Sequence, residues 1–275
     1  KNTVIGEIFD KKFKAHFSDN NKKLNFKIFN TGIDAKFNFD SIEGINVKSG
    51  TSKINILNNY FKLNFKIKDD EIELAKSNLR NKDLSVSFES SILFNPFLEM
   101  NSNIIINKFN SRLIEKLSIK KILVNKDIIK KININNKLSF YNKKIRNSFV
   151  KSHSSKLNLA HGRLSFSTKL FISGGVINCQ GNGLLTEEYP RINFNCYFDV
   201  IDKKKLLKNF SISKKIDKDP LNLNVIGSIN IFNKKVNFEK ISVGKNYIAQ
   251  DEDKKYFKET FERVLFNDRF FHIFK

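Results

Sequence analysis

Arg191-Ile192-Asn193-Phe194-Asn195-Cys196-Tyr197-Phe198-Asp199-Val200 is the stretch that decides the fold. Ile192, Phe194, Cys196, Phe198 and Val200 fall on every second residue, the side-chain period of a β-strand. Such a strand has one apolar and one polar face. Ile192, Phe194, Phe198 and Val200 are expected to face an apolar interior, with Asn193, Asn195 and Asp199 outside. A one-residue slip would invert this.

The same alternation recurs along most of the chain. Leu24, Phe26 and Ile28 show it, then Ile33, Ala35, Phe37 and Phe39. Phe61, Leu63, Phe65 and Ile67 repeat it with Lys62, Asn64 and Lys66 between them, and Leu84, Val86 and Phe88 follow. Strands of this kind form antiparallel sheets. A hairpin pattern also recurs: Gly6-Glu-Ile-Phe-Asp-Lys-Lys-Phe13, Ile54-Asn-Ile-Leu-Asn-Asn-Tyr-Phe61, Leu138-Ser-Phe-Tyr-Asn-Lys-Lys-Ile145 and Ile229-Asn-Ile-Phe-Asn-Lys-Lys-Val236. Asn and Asp tolerate positive φ. The expected two-residue turns are therefore Asp10-Lys11, Asn58-Asn59, Asn142-Lys143 and Asn233-Lys234. These turns would set Ile231 opposite Val236, Ile229 opposite Phe238, Ile56 opposite Phe61 and Ile54 opposite Leu63.

Helical signals are few. Asn110 can cap a short turn through Leu113, Ile114 and Leu117, and Asp202 precedes a short helix over 203–210. Acidic Asp251-Glu-Asp, followed by Tyr256, Phe257, Phe261, Val264 and Leu265 at helical spacing, predicts a helix over 251–265. The aromatic tail from Phe266 to Lys275 reads as docked rather than free. Residues 1–116 read as a first β-sheet segment and 117–155 as a Lys/Asn-rich joining segment with a hairpin. Residues 156–250 read as a second sheet segment and 251–275 as the helix and tail. The chain begins at Lys1 and reads as a piece of a longer protein.

Composition sets the outer limits. The chain has 275 residues, 50 basic against 28 acidic, 28 Phe, 11 Gly and only 3 Pro. With 40% hydrophobic residues it is neither disordered nor a low-complexity polymer. Its net charge of +22 rests mainly on lysine alternating with apolar residues, which reads first as a solvated face. Beyond that it gives general attraction to anionic surfaces such as phospholipid headgroups, lipopolysaccharide or nucleic acid. Seven arginines, no Trp and no base-stacking motif argue against dedicated nucleic-acid recognition. No run of 18 apolar residues offers a membrane-spanning helix.

Catalytic signals are lacking. His16, His153, His161 and His272 have no metal-ligand spacing, and His16, between Ala15 and Phe17, reads as solvent-facing. Gly174-Gly175 reads as a turn, and Gly181 and Gly183 as strand glycines, so Gly181-Asn-Gly183 is no phosphate loop. No metal, cofactor or enzymatic role is expected.

Cys179 and Cys196 lie on strands joined by a loop containing Glu187-Glu188-Tyr189-Pro190. If the pairing centres between Glu187 and Glu188, Cys179 faces Cys196, Gly181 faces Phe194, Gly183 faces Ile192 and Ile177 faces Phe198. A disulfide then becomes geometrically accessible. A register shifted by two would leave two small buried apolar residues instead.

Over 157–250 the chain resembles the AsmA-like family, bridge-like envelope proteins related to the translocation-and-assembly-module B proteins. The resemblance runs through Leu157-Asn-Leu-Ala-His-Gly-Arg-Leu-Ser-Phe166, Gly175-Val-Ile-Asn-Cys-Gln-Gly181 and Pro190-Arg-Ile-Asn-Phe194. It continues with Asp202-Lys-Lys-Lys-Leu-Leu207 and Gly227-Ser-Ile-Asn-Ile231 through Val236-Asn-Phe238 to Ile241. It implies a periplasmic protein, anchored in the inner membrane by a segment outside this chain. A taco-shaped β-groove would conduct phospholipid between inner and outer membranes.

The expected fold is therefore mainly β: an elongated, antiparallel, curled sheet or β-groove with a few short helices and a C-terminal helix. Roughly 14 strands at about 4.8 Å would stack to about 65 Å. The groove lining is expected from Phe26, Phe37, Phe61, Leu63, Phe65, Ile67 and Phe88, then Ile192, Phe194, Phe198, Ile229, Ile231 and Phe238. The alternative function is an envelope assembly protein that binds other proteins at a sheet edge.

Overall fold

Alternation becomes strand pairing almost everywhere it occurs. The computed structural model describes residues 2–8, 10–40, 47–110, 126–141, 150–208, 219–233, 235–244 and 247–266. Two units divide the chain, Lys1–Asn110 and Ser111–Lys275. The expected turn at Asn110–Leu117, the Asn142-Lys143 turn and the tail beyond Phe266 lie outside the described residues.

The first unit is a meander of nine strands: β1 (Thr3–Ile8), β2 (Lys11–Ser18), β3 (Lys23–Ile28), β4 (Ile33–Phe39), β5 (Val47–Ile56), β6 (Asn59–Lys68), β7 (Glu71–Arg80), β8 (Leu84–Leu93) and β9 (Leu98–Phe109). Each pairs antiparallel with the next. The second unit continues with α1 (Lys126–Lys131), β10 (Ile132–Tyr141), β11 (Val150–Ala160), β12 (Arg163–Ile172), β13 (Gly175–Leu184) and β14 (Arg191–Val200). There follow α2 (Lys203–Lys208), β15 (Leu221–Asn230), β16 (Lys235–Val243), the short β17 (Tyr247–Ile248) and α3 (Asp251–Phe266). Strands β10 to β17 also pair in chain order, antiparallel throughout. The chain is thus mainly β and antiparallel, with three short helices among the described residues, one of them C-terminal. Neither meander closes on itself.

Two expected helices form for the expected reasons. Asp202 Oδ1 accepts the Lys205 amide at 2.9 Å, an N-cap for α2. That bond holds the Asp202 carboxyl below its usual range. In α3, Asp253 Oδ2 accepts the Gln250 amide at 3.1 Å, and three acids occupy the first turn. Helix α1 was not anticipated; its six residues place Ile129, 5% exposed, against Leu185.

The hairpin registers differ from expectation by a consistent step. Ile54 faces Phe61 and Ile56 faces Asn59, so Leu57 and Asn58 form the turn, at φ 50° and 68°. Ile8 faces Lys11, which makes the first turn 9–10, with Asp10 at φ 57° in its second position. Ile229 faces Val236 and Gly227 faces Phe238, leaving Ile231 in the turn. The cause is visible at Asn230, whose Oδ1 accepts the amides of Phe232 at 3.1 Å and Asn233 at 3.0 Å. The side chain starts the turn three residues before the expected Asn233. Each pairing moves by two residues, an even number, so every strand keeps its apolar residues on the same face.

Bulges perform the other correction. Leu74 and Leu79 are an odd number apart, yet both lie on the apolar face opposite Phe65 and Phe61. The extra residue is Lys76, at φ 48°. Ser77 Oγ accepts the Asn64 amide at 3.2 Å beside it. Glu239 is the corresponding extra residue in β16, so Phe238 and Ile241 both stay on one face.

Candidate functional site

The apolar face of the first unit builds up from its pairings. Phe26 faces Ala35, Ala35 faces Ile54, Ile54 faces Phe61, Phe61 faces Leu79, Leu79 faces Val86 and Val86 faces Ile106. That is one unbroken apolar row across seven strands. Parallel rows carry Phe37, Leu63, Phe65, Ile67 and Phe88. All seven lining residues expected in this unit therefore share one face.

Aromatic rings meet on that face. Phe65 lies 5.8 Å from Phe39 and 6.3 Å from Phe37, and Phe13 lies 5.6 Å from Phe26. Phe39 and Phe65 both face Gly50 across its two neighbouring strands, so their rings converge over a residue without a side chain. Phe65 is 8% exposed, but Phe26, Phe37, Phe61, Leu63, Ile67 and Phe88 are only half-buried. All nine strands of this unit belong to the meander, so no described element of the unit itself lies over the face.

The second unit repeats the device with more regularity. Phe166 faces Gly181, Gly181 faces Phe194, Phe194 faces Gly227 and Gly227 faces Phe238. Phenylalanine and glycine thus alternate across five strands. A Cβ at Gly227 would sit 2.9 Å from the Phe194 ring, and one at Gly181 2.5 Å from the Phe166 ring. Phe194 and Phe238 meet edge to face at 6.3 Å above Gly227. Ile192, Phe194, Phe198, Ile229 and Phe238 lie on this face. Ile231 does not extend it; from its turn it packs with Phe232 against Leu185 and Ile129. Phe13, Phe17, Phe39 and Phe166 are among the aromatic members outside the expected lining, although Leu164, Phe166, Leu170 and Ile172 show the same alternation.

Stripe 192–200 is oriented as expected. Val200 is 1% exposed, Ile192, Phe194 and Phe198 are half-buried, and Asn193 and Asn195 lie on the opposite face. The centring on Glu187 and Glu188 also holds. Cys179 faces Cys196, Gly181 faces Phe194, Gly183 faces Ile192 and Ile177 faces Phe198. The two cysteines form a disulfide across β13 and β14, with Cα atoms 4.1 Å apart.

Two polar groups interrupt this apolar face next to the disulfide. Thr168 faces Cys179, and His153 Nε2 lies 2.8 Å from Thr168 Oγ1. Burial holds the His153 imidazole below its ordinary value. Gly174 makes the expected turn at φ 94°, and His16 is exposed, with its Nδ1 2.9 Å from Thr3 Oγ1.

No helix of the described residues is long and apolar enough to cross a membrane. No family model, curated protein or solved structure matches the chain.

Proposed function

We propose that this is a non-enzymatic lipid-binding protein of the bacterial envelope, whose apolar sheet faces seat the acyl chains of phospholipid. The observation that carries this is the unbroken row Phe26, Ala35, Ile54, Phe61, Leu79, Val86 and Ile106, on a face that no described element of its unit covers. Exposed apolar surface on this scale marks a binding site or an aggregation hazard. Acyl chains satisfy it without directional bonds, and the lining offers few polar groups to select anything else. The disulfide favours an oxidising compartment, consistent with a periplasmic location. The resemblance of 157–250 to the AsmA-like family points to the same class, with lipid moving between the two membranes.

Lipid mass spectrometry on the protein purified from envelope extracts tests this. Phospholipid should co-purify, and photo-activatable acyl chains should cross-link to Phe61 and Phe88. Phe88→Arg should abolish cross-linking while leaving the protein folded, because Phe88 is half-buried and its charge can reach solvent. Glu89→Lys, on the opposite face, should leave cross-linking intact. Equal loss in both variants, or a protein free of lipid, would refute the reading.

A further inference from the structure

The opposite, polar face of the first unit carries an arrangement that fold stability does not explain. Lys36 on β4 faces Lys53 on β5, and Lys53 faces Lys62 on β6. Three ammonium groups therefore stand in one row on consecutive strands, at backbone steps of about 4.8 Å. Like charges directly opposite one another destabilise a sheet. In the adjoining row Lys14 faces Lys27, but there Lys27 also faces an acid, Asp34.

Counter-charges are not supplied from within. Lys36, Lys53, Lys62 and Arg80 make no ion pair among the described residues. Asp34, the nearest acid by register, instead accepts a hydrogen bond from Asn55 Nδ2 at 3.2 Å. The same face shows that complementary pairing was available. A few residues further along β6, Lys66 faces Glu73 and Lys68 faces Glu71. The sheet thus matches charges at one end of β6 and opposes like charges at the other. Four basic side chains, Lys36, Lys53, Lys62 and Arg80, line a shallow open depression of about 350 Å³ there, with Tyr60 and a single acid, Asp34, beside them.

We propose that this lysine row is a docking surface for an anionic phospholipid bilayer, bound through its headgroup phosphates. The chemistry favours that occupant over nucleic acid. Lysine is a flexible point charge suited to a diffuse layer of phosphates, whereas base or backbone recognition favours bidentate arginine and stacking aromatics. This depression holds one arginine, Arg80, and one aromatic side chain outside the apolar face, Tyr60. Its position on the face opposite the apolar rows makes it independent of acyl-chain seating. A sheet could lie against a membrane by this side while its other side holds lipid.

Vesicle co-sedimentation of the full chain tests the proposal, comparing phosphatidylcholine alone with phosphatidylcholine containing one-third phosphatidylglycerol. Adding phosphatidylglycerol should strengthen binding, and salt should reverse the gain. Each lysine close to an anionic membrane is worth roughly fivefold in affinity, so Lys36→Gln/Lys53→Gln/Lys62→Gln should lose on the order of a hundredfold. Lys130→Gln/Lys131→Gln/Lys137→Gln removes the same charge from exposed positions of the second unit and should lose less than about fivefold. The first triple variant should also melt higher than the wild type at low salt, with the gap closing as salt is added. That shift shows both that it is folded and that the repulsion was real. Inorganic phosphate should displace the vesicles no better than sodium chloride at the same ionic strength. Equal losses in the two triples would reduce the effect to net charge. Unchanged binding in the first triple, displacement by inorganic phosphate beyond that of sodium chloride at equal ionic strength, or tighter binding of a single-stranded oligonucleotide through the same lysines would overturn the proposal.

Discussion

Removing the Cys179–Cys196 bridge should loosen β13 and β14 by a calculable amount. The bridge closes a loop with a sequence separation of 17. In the chain-entropy description, cross-linking a loop of that length withdraws about 3 kcal/mol of conformational freedom from the unfolded ensemble. The native side should contribute little to the difference, because the pairings beside the cysteines remain: Gly181 with Phe194 and Ile177 with Phe198. Alanine is the right replacement at both positions, since serine would add hydroxyl groups to an apolar face. The suitable assay is amide hydrogen exchange read peptide by peptide, because the chain has two units and need not unfold in one step. A loss of about 3 kcal/mol corresponds to roughly 150-fold faster exchange in peptides from β13 and β14. Peptides from β5 and β6 belong to the other unit and should be unchanged. Acceleration of less than about tenfold in β13 and β14, or an equal change in β5 and β6, would show that the bridge does not constrain this hairpin as argued.

Two further outcomes follow from the second unit. Gly227→Ala should destabilise by about 1–3 kcal/mol in urea unfolding, the range for overpacking, because its Cβ would run into the Asn237 carbonyl oxygen and lie 2.9 Å from the Phe194 ring. An unchanged or raised midpoint would contradict the packing of Phe194 and Phe238 over that glycine. His153 titrates below its ordinary value of 6.5 in the folded protein, so the unfolded chain takes up its proton first as pH falls. The stability it contributes is fully present above about pH 6.5 and is lost as pH drops through the lower folded value. His153→Gln should flatten that part of the stability profile, and a profile with the same slope in both proteins would remove His153 from the account.

Much of this was legible in the residues, and the reason is period two. Alternation placed twelve of the thirteen expected lining residues on the apolar faces of their units, and it fixed the 192–200 stripe. For β13–β14 the residues left two registers open, and the structure takes the one in which the cysteines oppose and glycines meet large side chains. Turn chemistry was read less well. Asn58 accepts positive φ in either position of a tight turn, and only the structure shows that Leu57 takes the first one, at φ 50°. Asn230 took the turn from Asn233 through two side-chain bonds that no local propensity announces. Bulges at Lys76 and Glu239 resolve odd spacings that alternation alone must treat as breaks. Helix α1 has six residues and one deeply buried side chain, Ile129, too little for a periodic signal.

Helix α3 bears on the alternative of strand addition at a sheet edge. A single-layer sheet has two exposures to manage, its apolar face and its edges. At β16 one element meets both. Phe261 packs edge to face on Phe238 at 5.6 Å, covering the end of the phenylalanine–glycine row. At the next residue, Glu262 Oε1 accepts the Val236 amide at 2.9 Å, and its Oε2 lies 3.3 Å from Lys235 Nζ. The helix is held in turn by Asp253, which accepts from the Tyr247 hydroxyl at 2.7 Å and from the Gln250 amide. A carboxylate on a backbone donor makes a charge-assisted bond, stronger than the neutral ladder bond a new strand would offer. An incoming strand at this edge would have to break it and also uncover Phe238. That edge of β16 is therefore guarded by the chain itself, whereas no described element of the first unit covers that unit's own apolar face. The contrast favours the proposed seating of acyl chains on a face over strand addition at this edge of β16.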